Sequence, residues 1–266
     1  MLEQISPTEL TITFLALTAI IAVRYMIISG LFYWLLWGRR ADKVRAIKLM
    51  DADPKPGVVA SEIRWSLLSS FIYAAPAALV IELWKVGGTA VYMDINAYPL
   101  WYLPVSVLLY LFLHDTYFYW THRLMHLKRL FPIMHRVHHQ SRPPTPWAAF
   151  SFHPYESVLG AVFMPALAML IPIHISGILF ILTLMTFAAV LNHSGWEILP
   201  KWWLRGWPGR TLITAAHHDL HHKHFNCNYA LYFRFWDKLM KTDIMESEYD
   251  FLDDPGTPAA ASEVSR

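Results

Sequence analysis

Residues 157–196 read SVLGAVFMPALAMLIPIHISGILFILTLMTFAAVLNHSGW and contain no Asp, Glu, Lys or Arg. At about 1.5 Å per helical residue the run is roughly 60 Å long, twice the ~30 Å of hydrocarbon that one span must cross. It therefore folds back on itself. The break falls at Ile171-Pro172-Ile173-His174-Ile175-Ser176-Gly177. Two short spans or a re-entrant hairpin result, and either returns the chain to the side it came from.

Working outward, three more stretches can cross a membrane: Thr11 to Gly38, where Arg24 is the only charge, Trp65 to Ile81 and Tyr98 to Leu113. The first reads as a retained span, because Met1 to Glu9 holds two Glu and no Lys or Arg. Arg24 costs about 2.5–3.5 kcal/mol at the centre of a span, which suits a snorkelling or helix-packed side chain. Residues 39–64 hold seven Lys and Arg, 85–97 only Lys85, 121–156 five and 192–246 seven, while the Ile171–Gly177 turn holds none. Cytoplasmic loops collect such charges. The alternation predicts five crossings with the N-terminus outside, and nearly every His on the cytoplasmic side.

The expected fold is an all-α integral membrane protein of about four to five membrane-crossing or re-entrant helices under a cytoplasmic, His-rich helical cap. Residues 1–246 form one domain, with the motif region at about 98–243, and 247–266 form an acidic, disordered tail. Composition agrees: 55% of residues are hydrophobic and only 16% charged, against roughly 25% charged in soluble domains. A net charge of +2 excludes a nucleic-acid groove, and the single Cys227 excludes an internal disulfide or a thiolate metal site. No glycine-rich nucleotide loop is present.

All 14 histidines lie between His114 and His224. Their spacing carries the chemistry. His122 and His126 stand at i and i+4; His135, His138 and His139 stand at i, i+3 and i+4; His218, His221 and His222 repeat that pattern. Each group falls on one helix face. With His193 after Asn192, nine imidazoles are available, too many for one ion and suited to two ions at four or five nitrogens each. Imidazole suits Fe, Cu, Ni and Zn. Asp115, His153 and Asn192 are candidate catalytic or ligand-orienting groups, and Asp115 lies seven residues before His122 on nearly the same face. His114 and His217 are open between ligand and supporting roles, whereas His174 and His224 read as structural. The absence of His-Glu-x-x-His and Glu-x-x-His excludes the common zinc-protease and carboxylate-bridged helix-bundle arrangements. A membrane metal carrier and a di-zinc lipid hydrolase remain open on these residues.

The order His114-Asp115 to His122-x-x-x-His126, then His135-x-x-His138-His139, then His218-x-x-His221-His222 resembles the fatty acid hydroxylase / sterol desaturase superfamily. Pro144 to Trp147, Phe152 to Glu156, and Phe225 to Tyr229 leading into Tyr232–Asp237 are similar to its C-5 sterol desaturase branch. The resemblance implies two iron ions held by His122, His126, His135, His138, His139, His193, His218, His221 and His222. It also implies dioxygen as co-substrate and hydroxylation or desaturation of a sterol-like, carotenoid or fatty-acyl lipid. Electrons would come from a separate donor, a ferredoxin or a small b-type cytochrome with its reductase, docked on a basic cytoplasmic face. Retention-type endings are missing, and a bacterial inner membrane is expected in preference to an endoplasmic reticulum.

Overall fold

The computed structural model describes residues 2–39, 47–50 and 52–245. The expected acidic tail and several cations of the 39–64 loop lie outside the described residues.

Helix α1 (Pro7–Tyr33) starts with a proline in its first turn and continues as a wider turn over Trp34–Arg39. It packs on α2 (Val58–Lys85), whose buried residues Glu62, Ser66, Ser70, Ala74, Ala78 and Glu82 recur every four positions. Small residues on such a stripe let neighbouring backbones approach closely, which is how helices adhere where lipid offers no hydrophobic contrast. Polar groups along the stripe find partners on neighbouring elements, with Glu62 Oε1 left unpaired. Ser66 donates to the Trp147 carbonyl at 3.0 Å, Ser69 bonds Ser157 at 2.8 Å, Glu62 accepts from Thr145 at 2.5 Å, and Glu82 is paired with Lys85 at 2.7 Å.

Helix α3 (Tyr102–Met125) buries Ser106, Tyr110 and Leu111 in its first half and His114, Asp115, Tyr119 and His122 in its second. The face that packs in the apolar layer thus becomes the face that carries chemistry. After the short α4 (Phe131–Met134), α5 (Pro154–Leu170) and α6 (Ile175–Asn192) form the hairpin whose break was expected at 171–177. Tyr110 hydroxyl sits 2.9 Å from the Leu167 carbonyl and 2.7 Å from that of Ile171, tying α3 to the end of α5.

The expectation of helices alone needs one amendment. Val91–Tyr92 (β1) pairs in parallel with Ile173–His174 (β2), so the hairpin's tip is tied to the loop before α3. Among the described residues three helical segments are long and apolar enough to cross a membrane: Pro7–Gly38, Val58–Lys85 and Ile175–Asn192. Helix α5, at 17 residues, is shorter, about 25 Å.

The His-rich layer consists of α4, the turns that follow it, and α7 (Lys201–Arg205), α8 (Trp207–Thr211), α9 (Ala215–His224) and α10 (Phe235–Leu239). Trp202 and Trp207 are largely exposed on it, at 70% and 73%. Gly195 links α6 to this layer at φ +82°, and a Cβ there would stand 2.9 Å from the Trp37 ring. Only glycine combines that backbone with that approach.

Candidate metal centre

The nine expected imidazoles come together, but not in the groups in which they occur along the chain. His122, His126, His135, His139 and His221 place one nitrogen each within 4.8 Å of one another, and His138, His193, His218 and His222 form a second such set. In both His-x-x-His-His motifs the outer pair joins one set and the middle histidine joins the other. The one-face reading of each motif is therefore corrected. At about 100° per residue, i+3 and i+4 lie on opposite sides of i, about 60° and 40° away. Two sets side by side can divide such a motif, and α9 sends His218 and His222 one way and His221 the other.

Hydrogen bonds fix the proton positions. The Nδ1–H groups donate to carbonyls: His122 to Tyr229 at 2.7 Å, His221 to Cys227 at 2.7 Å and His193 to Ala189 at 2.7 Å. His135 Nδ1 donates to the buried Glu156 carboxylate at 2.8 Å. A neutral ring that donates through Nδ1 presents a bare lone pair at Nε2. Those lone pairs converge. His122 and His135 Nε2 are 2.9 Å apart, His221 and His139 3.1 Å, His193 and His138 3.1 Å, and His218 and His193 2.9 Å. His122 with His135 is acceptor against acceptor, and the buried His126 Nε2 has no hydrogen-bond partner. A cation shared by these nitrogens satisfies such an arrangement. Nitrogens bound at about 2.1 Å are about 3.0 Å apart at right angles and about 3.4 Å apart in a tetrahedron. The observed spacing fits right-angled coordination, so the residues fit a pair of divalent transition-metal ions.

Burial, reinforced by neighbouring imidazoles, holds His135, His138, His139, His218, His221 and His222 well below the ordinary imidazole value. Burial alone holds His193 at about 4. The donors are thus neutral at pH 7, as metal binding requires. Below the ordinary value of 6.5 the unfolded chain takes up protons that the folded sets refuse. The imidazoles' share of metal-free stability is therefore fully present above pH 6.5 and is lost as pH drops below it, by up to about 1.4 kcal/mol per imidazole per pH unit, outweighing the opposite trend of the fewer raised carboxyls such as Asp237. Melting in detergent from pH 8 to 5 checks this; an unchanged midpoint would contradict it.

The loop after α9 positions two of the donors. Phe225–Phe233 brings in the Tyr229 and Cys227 carbonyls, and two buried carboxylates hold it in place. Asp237 accepts from the Tyr229 and Ala230 N–H groups at 2.8 and 2.9 Å, and Asp115 from those of Leu231 and Tyr232 at 3.0 and 2.6 Å. Burial pushes the Asp237 carboxyl up to about 6 against the pull of these donors and of the Thr242 hydroxyl. Glu197 accepts from the Ala216 N–H at 3.0 Å and so covers the start of α9.

The other candidates lie around the sets. Asp115 holds the loop through the Leu231 and Tyr232 N–H groups, a hydrogen-bonding role. His153 caps α5 by accepting from the Tyr155 N–H at 3.4 Å, apart from both sets, and Asn192 is buried beside His193. His114 bonds the Tyr232 hydroxyl at 3.0 Å, and His217 stands 3.8 Å from Asp243. Sequence reading missed Glu156 and Asp237 as supports. Asp237 lies inside a quoted motif, but nothing in its spacing indicates which N–H groups it meets.

The family model described as fatty acid hydroxylase matches residues 107–242. The chain is 30% identical over 218 residues to Delta(7)-sterol 5(6)-desaturase ERG3B of Gibberella zeae, covering 80% of this chain and 62% of that one. It is 31% identical over 213 residues to methylsterol monooxygenase erg25A of Aspergillus fumigatus, covering 73% and 66%. Lathosterol oxidase of Rattus norvegicus is 30% identical over 184 residues, covering 68% and 60%. The chain spans about three fifths to two thirds of the length of these relatives. No solved structure matches.

Proposed function

The chain belongs to the fatty acid hydroxylase family, and on that premise we propose that it is a membrane-bound, dioxygen-dependent oxidoreductase that hydroxylates or desaturates a lipid through two iron ions. The observation that carries the reading is the convergence of Nε2 lone pairs at 2.9–3.1 Å in two adjacent imidazole sets. The relatives' names favour a sterol-like lipid over a carotenoid or fatty-acyl one. These relatives are fungal and mammalian, which leaves the expectation of a bacterial inner membrane without support. A cytoplasmic face for the imidazoles and a separate electron donor complete the reading.

Bound iron would supply the activation of dioxygen needed to take hydrogen from an unactivated C–H bond. The protein's own contribution is to hold nine neutral donors in place. Carbonyls fix three of the rings and the Glu156 carboxylate a fourth, so each presents its lone pair without rearrangement. Phe118 lies 5.1 Å from the His122 ring, and Phe152 lies 5.0 Å from that of His138. These rings help keep water from the donors. Whether an alcohol or an alkene results depends on how the lipid carbon is seated.

The test is to incubate the iron-loaded protein in lipid nanodiscs with a sterol, a fatty-acyl lipid or a carotenoid, a small chemical reductant and labelled dioxygen. Gain of one labelled oxygen, or loss of two hydrogens, by one lipid class is expected. Lipid turnover by the zinc-loaded protein without dioxygen would replace this reading with a hydrolase. Binding of metal with no lipid turnover would favour a carrier.

A further inference from the structure

Beside the five-imidazole set lies a surface pocket of about 360 Å³ lined by Lys55, Val58, Phe131, Arg136, His139, Gln140, Arg142 and Phe225. Three of its side chains are cationic and none is acidic. Among the described residues neither Lys55 nor Arg136 has an ion-pair partner, and the neighbouring Asp53 is held by Lys48 at 3.0 Å. Among the described residues the positive rim thus has no acidic partner.

The floor of the pocket leads to both sets. Phe225 closes α9 at φ +66°, a left-handed position that glycine or asparagine would occupy at less cost. That conformation lays its ring on His139, with centroids 4.5 Å apart and planes 30° from parallel. Arg142 stands over the Phe225 ring at 4.3 Å and donates to the His222 carbonyl at 3.0 Å. One exposed arginine thus touches a residue of the four-imidazole set directly and one of the five-imidazole set through a single ring.

The proposed reaction needs reducing equivalents that this sequence has no nucleotide loop to collect. Hydroxylation is RH + O2 + 2e− + 2H+ giving ROH + H2O, and desaturation consumes the same two electrons and two protons while giving an alkene and two waters. We infer that the Lys55–Arg136–Arg142 pocket is the docking face for an acidic one-electron carrier protein, which delivers these electrons one at a time across Arg142 and Phe225 to the ligand imidazoles. This rests on the oxidoreductase reading above. A carrier with a carboxylate-rich face complements the rim, and complementary charge raises association rates by orders of magnitude at low salt.

The experiment uses the full chain in nanodiscs, with a reduced [2Fe–2S] ferredoxin and the soluble domain of a b-type cytochrome as carriers and the methyl viologen radical as small reductant. Carrier binding to metal-free protein is measured alongside reduction of the iron-loaded protein, between about 20 mM and about 300 mM salt. In Lys55→Glu/Arg136→Glu, carrier affinity at low salt and the ratio of carrier-driven to viologen-driven reduction are both expected to fall at least about tenfold, with a flatter salt dependence. Arg210→Glu, elsewhere on the His-rich layer, should move both by less than about twofold. Equal losses in the two variants, no loss in the double variant, or no salt-dependent binding of either carrier to the unaltered protein would overturn the inference. If viologen drives lipid oxidation while the double variant keeps its carrier rate, the surface is wrong and the oxidoreductase reading stands. If viologen drives none, that reading falls and the inference with it.

Discussion

His138→Ala and His221→Ala are each expected to remove one metal ion per chain, and the double variant both, with dioxygen-dependent lipid turnover lost in all three. Each residue is the middle histidine of its motif, and each serves the set to which its neighbours do not belong. His138→Ala therefore weakens the site built on α9 and α6, whereas His221→Ala weakens the one built on α3 and the turn after α4. Losing a direct donor should cost more than the roughly 10–100-fold in metal affinity that losing an outer-shell partner costs. Metal analysis of purified protein decides between this and the grouping by motif. The crossed arrangement predicts that after His138→Ala the remaining ion is still sensitive to a second change at His126, while after His221→Ala it is sensitive to one at His193. The opposite pattern would show that the sets are divided by motif. Melting of the metal-free variants checks that the fold survives these changes.

Asp237→Ala is expected to lower stability by about 2–5 kcal/mol and to weaken one metal site about 10–100-fold, without removing any metal donor. The substitution leaves the buried Tyr229 and Ala230 N–H groups without an acceptor and frees the Thr242 hydroxyl, which bonds the carboxylate at 2.7 Å. The loop then loses its register, and with it the carbonyls that orient His122 and His221. Both rings belong to the five-imidazole set, so the loss should fall on that site while the four-imidazole site keeps its ion. Asp237→Asn keeps one acceptor oxygen and is expected to lie between the two. Melting midpoints and competition with a chelator measure both effects; equal weakening of the two sites would contradict a role through this loop.

Much of this protein is legible along the chain because the bilayer imposes a length. A 40-residue run without Asp, Glu, Lys or Arg must double back, and Pro172 with Gly177 marks where it does. Spacing also singles out His122, His126, His135, His138, His139, His218, His221 and His222 as candidates for one chemistry, and the structure brings them into two sets. The count of spans is less legible. Helix α3 mixes an apolar half with a polar one and α5 stops at Leu170, so neither reads cleanly as a crossing. Spacing leaves Asp115 open between orienting an imidazole and plain hydrogen bonding, and only packing shows that its carboxylate meets the Leu231–Tyr232 backbone.

By itself, then, the sequence determined the hairpin, the apolar layer and the nine candidate donors, because apolar length and helical spacing are local properties of a chain. Which imidazoles come together in one set was decided only by the tertiary structure. His138 meets His193 across 55 residues and His221 meets His139 across 82, and those pairings depend on how α3, α6, α9 and the turn after α4 approach one another. The same holds for Asp237 and Glu156. A carboxylate's role is set by the N–H it reaches, and that is fixed by packing between segments and not by spacing within one.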